Sequence, residues 1–213
     1  EITKVANAAK ELQLKADIAI RVNPSFELKL SGMKMSGGAK PFGIDEEQVA
    51  QVLAKLPLSD LNLRGFHIYS GSQNLSADAI IVSQQQTFAL AQKLADDTQK
   101  ITQISIDYLN IGGGFGVPYF ANQQPLDIKR IANSLKKLLQ QYQSLVACTE
   151  IILELGRYLV AEAGIYVCQV IDKKISRGTT YLVCNGGLHH HLANSGNFGQ
   201  VIRKNYPVVI PQN

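Results

Sequence analysis

The sequence has little of what would place it outside the ordinary globular class. It has three cysteines, Cys148, Cys168 and Cys184, and no Cys-x-x-Cys pair, which argues against a disulfide framework or a cysteine zinc site. Each cysteine sits in or beside an apolar stretch, so buried free thiols in a reducing compartment are expected. No apolar run reaches the length of a bilayer span and no secretory signal is read, so a cytoplasmic protein is expected. Basic residues number 21 and acidic residues 17, a formal charge of +4 with no Lys/Arg run. That disfavours nucleic acid as a partner but would welcome an anionic ligand. There is no low-complexity linker and no internal repeat. Hydrophobic residues make up 46% and charged residues 18%, so disorder is not the default.

The 213 residues allow one sizeable domain, or one and part of another. Helical and strand patterns alternate. Helices are expected at about 2–12, 46–56, 77–97 and 126–145, with Asp45 as the N-cap of the second. Apolar strands are expected at about 17–22, 63–69, 104–111 and 150–155. Short apolar strands separated by helices imply parallel pairing. After Gly164 the rhythm changes to two strand-like runs joined by a turn at Ser176, Arg177 and Gly178. The fold class read is α/β: about the second half of a TIM (β/α)8 barrel over 1–163, then the start of a β-rich domain over 164–213. Glu1 opens inside an amphipathic helix and the last residues close no element, so a partial chain is expected.

In barrels the chemistry sits at the C-terminal ends of the strands. The unusual residues stand there: Asn23, Tyr69 to Gln73, Gly112 to Gly114 and Glu154 to Arg157. Three successive glycines let backbone N–H groups approach one anion; the alternative is a tight loop needing positive φ. Gly156 and Arg157 suit a second phosphate clamp, and a Glu154–Arg157 ion pair is the bland alternative. His67 and Tyr69, two apart on one strand, face the same way and suit a planar ligand, although a lone histidine is more often a satisfied core residue. His189, His190 and His191 cannot all face one ion in an extended strand, so no metal site is expected. Met33 and Met35 are read as packing or loop.

Five segments, in this order, resemble the fold-type III pyridoxal-phosphate decarboxylases, the group that includes ornithine, arginine and diaminopimelate decarboxylases: RVNP (21–24), KPFGI (40–44), GFHIYSGSQ (65–73), LNIGGGFGVPY (109–119) and ELGRYLV (154–160). The tail at 187–207 is similar to an exosortase- and acyl-CoA-ligase-associated subgroup, and to a decarboxylase acting on a carrier-protein-bound glutamyl thioester. The resemblance implies an alanine-racemase-like barrel that binds pyridoxal 5′-phosphate, a small amino acid or a carrier-bound aminoacyl group as substrate, and a homodimer. It implies that Gly112, Gly113, Gly114, Gly156, Arg157 and Ser72 hold the phosphate. Glu154 would pair with the ring nitrogen, and Tyr69, beside His67, would stand where the family places a stacking histidine. On the substrate side, with less support, stand His190 and Asn185, the latter in place of the family's usual aspartate.

An anion beside the ring nitrogen keeps it protonated, which favours decarboxylation over the racemase chemistry of relatives that place an arginine there. The family's cofactor-linking lysine motif does not occur in these residues; Lys29, Lys34 and Lys40 lack its context. The family's C-terminal Cys-Glu-x-x-Asp motif is also absent, so the chain alone is expected to be inactive. The rival readings are a non-catalytic pyridoxal-phosphate-binding regulatory barrel, an alanine-racemase-like enzyme, and a barrel binding a sugar phosphate or nucleotide. The last leaves Glu154 unexplained.

Overall fold

The computed structural model describes residues 1–26, 33–34, 37–187, 189–190 and 208–210. The chain runs through α1 (Ile2–Glu11), β1 (Ala16–Asn23), β2 (Met33–Lys34), β3 (Ile44–Asp45), α2 (Val49–Leu53), β4 (Leu61–Ile68), β5 (Gly71–Ser72), α3 (Ala77–Thr102), β6 (Tyr108–Gly113), α4 (Ile128–Gln141), α5 (Gln143–Val146), β7 (Glu150–Glu154), α6 (Arg157–Val160), β8 (Val170–Ser176) and β9 (Thr179–Cys184). It divides into two compact units, residues 1–117 with 125–159, and 118–124 with 160–213.

The first unit is built on a five-stranded sheet in the order β3-β1-β4-β6-β7, parallel throughout. Alternation gives this sheet two unlike faces. Ile20, Val22, Phe66, Ile68, Leu109 and Ile111 turn to one side and form the main core with Leu53, Phe88, Leu94 and Leu138 of the helices. Arg21, His67, Tyr108, Asn110 and Glu154 belong to the opposite parity. The β1–β4 register steps by one residue between Ile18 and Ala19, pairing Ile18 with Leu63 but Ala19 with Gly65. Arg64 is therefore left over as a β-bulge. Its side chain reaches Asp17 at 3.0 Å and Asp107 at 2.7 Å, spanning the starts of three neighbouring strands. Gly65 permits the close approach that follows: a Cβ there would lie 1.8 Å from the Tyr108 carbonyl oxygen.

Helix ends follow local chemistry. Ser76 caps α3 by accepting from the Ala79 N–H at 3.3 Å, and Gln103 ends it with φ 61° in the left-handed region. That makes α3 longer than its apolar pattern indicated. Asp127 caps α4 through the Arg130 N–H at 3.0 Å. The helix expected over 126–145 breaks at Tyr142 into α4 and α5. The one expected over 46–56 is a 3₁₀ turn, Glu46–Gln48, followed by the short α2. Asp45 does not cap it, because its carboxylate instead accepts the Asn23 side-chain amide at 2.7 Å. The third strand begins at Tyr108 rather than at 104.

The second unit contains the antiparallel hairpin β8–β9, turned by Arg177 (φ 49°) and Gly178 (φ 80°) as a two-residue connection requires. The expectation of buried thiols fails: Cys148 and Cys168 are exposed and Cys184 is half-buried. Cys148 lies in the turn before β7, and the other two flank a two-stranded sheet, which cannot cover both its faces. Met35, Lys29 and His191 lie outside the described residues. Among the described residues no helix is long and apolar enough to cross a membrane.

Candidate cofactor site

The site is assembled at the C-terminal ends of β1, β4, β6 and β7. The bulge at Arg64 sets its first feature: beyond it His67 pairs in register with Arg21, both on the face away from the core. The His67 and Tyr69 rings lie side by side, centroids 6.3 Å apart. The Arg21 guanidinium sits over the Tyr69 ring at 5.7 Å and the Phe42 ring at 5.0 Å, a cation–π arrangement. Among the described residues, one Arg21 guanidinium nitrogen, Nη2, and His67 Nε2 are buried with no hydrogen-bond partner.

Glu154 ends β7 with its carboxylate on this same face. Its Oε1 accepts from Asn110 Nδ2 at 2.8 Å, and its Oε2 lies 3.7 Å from His67 Nε2. Burial holds the His67 imidazole below its usual range, against the pull of Glu154 upward and with a smaller downward push from Arg21. The side-chain oxygen of Asn110, Oδ1, accepts the Gly112 N–H at 2.9 Å. Asn110 is 4% exposed, so its bond to Gly112 is shielded from water, while the Glu154 carboxylate at its other end is half exposed.

The glycine run turns at Gly112 (φ +70°) and Gly114 (φ +81°). A Cβ at Gly113 would stand 1.7 Å from the Glu154 carbonyl oxygen, and one at Gly114 would stand 2.0 Å from that of Gly71. Only glycine fits either place. Gly71 and Ser72 form β5, paired with β2, and Gly114 O accepts from Asn74 N at 2.9 Å. The Arg157 guanidinium donates to Gln73 Oε1 at 3.2 Å, which brings the loop after β7 to the loop after β4. Gly156 has φ +45° and open space around it.

His67, Tyr69, Gly112, Gly113 and Glu154 are thus in one place, with Ser72, Gly114 and Arg157 on the adjoining loops. The expectation that all three glycines offer their N–H groups to an anion needs amending at Gly112, whose N–H is already taken by Asn110. Asn185 and His190 belong to the second unit. There the Asn185 side chain accepts the Gln169 N–H at 2.8 Å, and His190 packs on His189 with ring centroids 4.0 Å apart. Among the described residues no cluster of His, Cys, Asp and Glu could hold a metal ion. The sequence reading singled out neither Asn110 nor Arg21, and named Gln73 at a strand end without giving it a role. Asn110 was within reach, since it stands two residues before Gly112 on the same strand. The other two depend on neighbours distant in sequence.

A face with two rings, orphaned buried donors, a carboxylate and a glycine loop that admits no side chain fits a flat, phosphorylated heterocycle. The comparisons with known proteins agree. The family model for the pyridoxal-dependent decarboxylase, pyridoxal binding domain, matches residues 1–161. An L-glutamyl-[BtrI acyl-carrier protein] decarboxylase from Niallia circulans is 35% identical over 98% of this chain and 48% of its own length. Diaminopimelate decarboxylase from Methanocaldococcus jannaschii is 28% identical over 91% of the chain and 47% of its own length. The crystal structure of Helicobacter pylori diaminopimelate decarboxylase complexed with L-lysine superposes with a TM-score of 0.72 at 26% identity, covering 91% of this chain and 46% of that one. The chain spans about half the length of the curated relatives it matches. Cofactor class, parallel sheet and motif order converge: this chain belongs to the pyridoxal-dependent decarboxylases of fold type III and carries part of their cofactor-binding barrel.

Proposed function

We propose that this chain supplies the cofactor-gripping part of an enzyme that removes the α-carboxyl group of an amino acid as CO₂, and that the substrate is an aminoacyl group, glutamyl in the first instance, held on a carrier protein. The observation that carries the reading is the Glu154 carboxylate, held by Asn110 on the face shared by His67 and Tyr69, on a strand whose backbone abuts the glycine loop. The carrier-bound substrate is preferred because a relative 35% identical over 98% of the chain is named for one, and because Asn185 lacks the charge to pair with the distal ammonium of a diamino acid. Residues 1–163 are assigned to the barrel and 164–213 to the start of a β-rich domain.

Bound pyridoxal phosphate supplies the electron sink for the pair left at Cα when CO₂ departs. Glu154 would hold a proton at the ring nitrogen. Tyr69 would stand against the cofactor and keep water from it. Gly113, Gly114, Ser72, Gly156 and Arg157 would hold the phosphate, Arg157 braced by Gln73. Burial holds the His67 imidazole below its usual range, against the upward pull of Glu154 3.7 Å away. Turnover is assigned to a homodimeric protein in which these residues stand beside a cofactor-linking lysine.

The test is calorimetric titration of pyridoxal 5′-phosphate into the chain, with inorganic phosphate as competitor. Saturable binding is expected, weakened on the order of tenfold or more by Glu154→Gln, which loses the bond to a charged partner. Failure of the unaltered chain to bind overturns the reading. Substrate class is read from CO₂ released from an L-glutamyl carrier protein and from free diaminopimelate, in a protein carrying this chain together with the lysine. Release from the free diamino acid alone overturns the carrier assignment.

A further inference from the structure

We propose that Asn110 is a positioning residue that couples the two ends of the cofactor grip, and that its being an amide keeps a second carboxylate from standing against Glu154. The inference rests on the cofactor reading above. One side chain makes both bonds: Nδ2 donates to Glu154 Oε1 at 2.8 Å and Oδ1 accepts the Gly112 N–H at 2.9 Å. The donor end fixes which carboxylate oxygen is occupied, leaving Oε2 for the ring. The acceptor end pins the turn at which the glycine loop begins. A shift of either partner is felt by the other, because Asn110 is 4% exposed and its strand is paired on both edges, by β4 and by β7.

The amide matters as much as the geometry. An aspartate in this place would accept from Gly112 equally well but set a second carboxylate against Glu154 at hydrogen-bond distance. Two such groups share a proton rather than both ionise. Among the described residues, the other polar groups facing Glu154 and Asn110 are His67 of β4, 3.7 Å from Oε2, and the Tyr108 hydroxyl of β6, 3.5 Å from the Asn110 amide. Arg21 of β1 stands beside His67 in register. None of these replaces an amide that donates and accepts at once.

Two readouts test this without turnover. The first is ¹³C NMR of the Glu154 carboxyl in the cofactor-free chain as pH is varied. Asn110→Asp should move its titration upward and make it two-step; an unshifted single step overturns the proposal. The second is the ratio of affinities for pyridoxal 5′-phosphate and its 1-deaza analogue, which has no ring nitrogen. The unaltered chain should favour the natural cofactor by about tenfold or more, the worth of a charge-assisted bond. Asn110→Ala should bring that ratio close to one, while a purely structural residue would weaken both ligands alike and keep it. If the unaltered chain binds neither ligand, the cofactor reading falls, and the carboxyl titration still decides the Asn110–Glu154 contact. Asn110→Asp is nearly isosteric, so the titration survives even if Asn110→Ala does not fold.

Discussion

Replacing Gly113 with alanine should loosen the site and the fold together. The added Cβ would lie 1.7 Å from the Glu154 carbonyl oxygen and 2.6 Å from its carbonyl carbon. Ordinary carbon–oxygen contacts lie at about 3.3–3.6 Å, so β6 and the end of β7 must part by about 1.6 Å or more. Both atoms are backbone, in a pair directly in register, so no side chain can swing aside to absorb the change. Overpacking of this kind costs about 1–3 kcal/mol. For a chain of this size each kcal/mol moves the melting temperature by about 2–4 °C, so the expected fall is roughly 2–12 °C. The assay is thermal unfolding followed by circular dichroism, with Gly164→Ala as control, since nothing lies within 4 Å of a Cβ there. The same displacement carries Glu154 away from Asn110, so binding of pyridoxal 5′-phosphate should weaken in parallel. A Gly113→Ala chain that melts within about 1 °C of the original refutes the close-packing argument.

Three further outcomes are expected. Burial keeps the His67 imidazole below its usual range, so the unfolded chain takes up that proton first. Stability is then full above about pH 6.5 and declines as pH falls toward the folded value. In His67→Asn, urea midpoints at about pH 7.5 and 5.5 should lie closer together than in the original chain; an undiminished gap argues against this source. Gln84, 5% exposed in α3, faces a small cavity beside Ser70, Ser83 and Thr87, and both its amide atoms are buried without a partner among the described residues. A group left so costs about 1–3 kcal/mol, so Gln84→Met should raise the melting temperature, and a fall would show that the amide is satisfied in solution. Arg64 links Asp17 and Asp107 at the surface, and the Asn62 amide, with Arg64 second, holds the Asp17 carboxyl below its usual range. Arg64→Met should therefore lower the melting temperature at low ionic strength but not at about 1 M salt; a salt-independent loss would point to the stem's packing instead.

The alternation of helices and strands, and the gathering of odd residues at strand ends, were legible in the residues because both follow from local periodicity. Ser176 to Gly178 could be read as a turn for the same reason. What escaped depended on partners far along the chain. Asp45 has the chemistry of a helix cap, yet Asn23 of β1 claims it. The apolar cysteine contexts promised burial, but only a covering layer delivers it, and a two-stranded hairpin has none of its own. Within the site, Glu154 stood out because a charge follows an apolar run. Asn110 did not, since nothing local says that an amide in a strand will bridge a glycine and a carboxylate.

The leftover residue at position 64 acts as a phase shift in the sheet. Before it, the odd-numbered Leu61 and Leu63 are buried; after it, the even-numbered Phe66 and Ile68 are. An uninterrupted two-residue period from Leu61 would carry His67 and Tyr69 beneath the helices and turn Phe66 and Ile68 outward. A single inserted unit of backbone thus reconciles the needs of an oily interior at one end of the strand with those of a wet chemical face at the other. Deleting Arg64 would straighten the strand into a plain alternation that keeps Phe66 and Ile68 on the side of Leu61 and Leu63, at the loss of the guanidinium that joins Asp17 and Asp107.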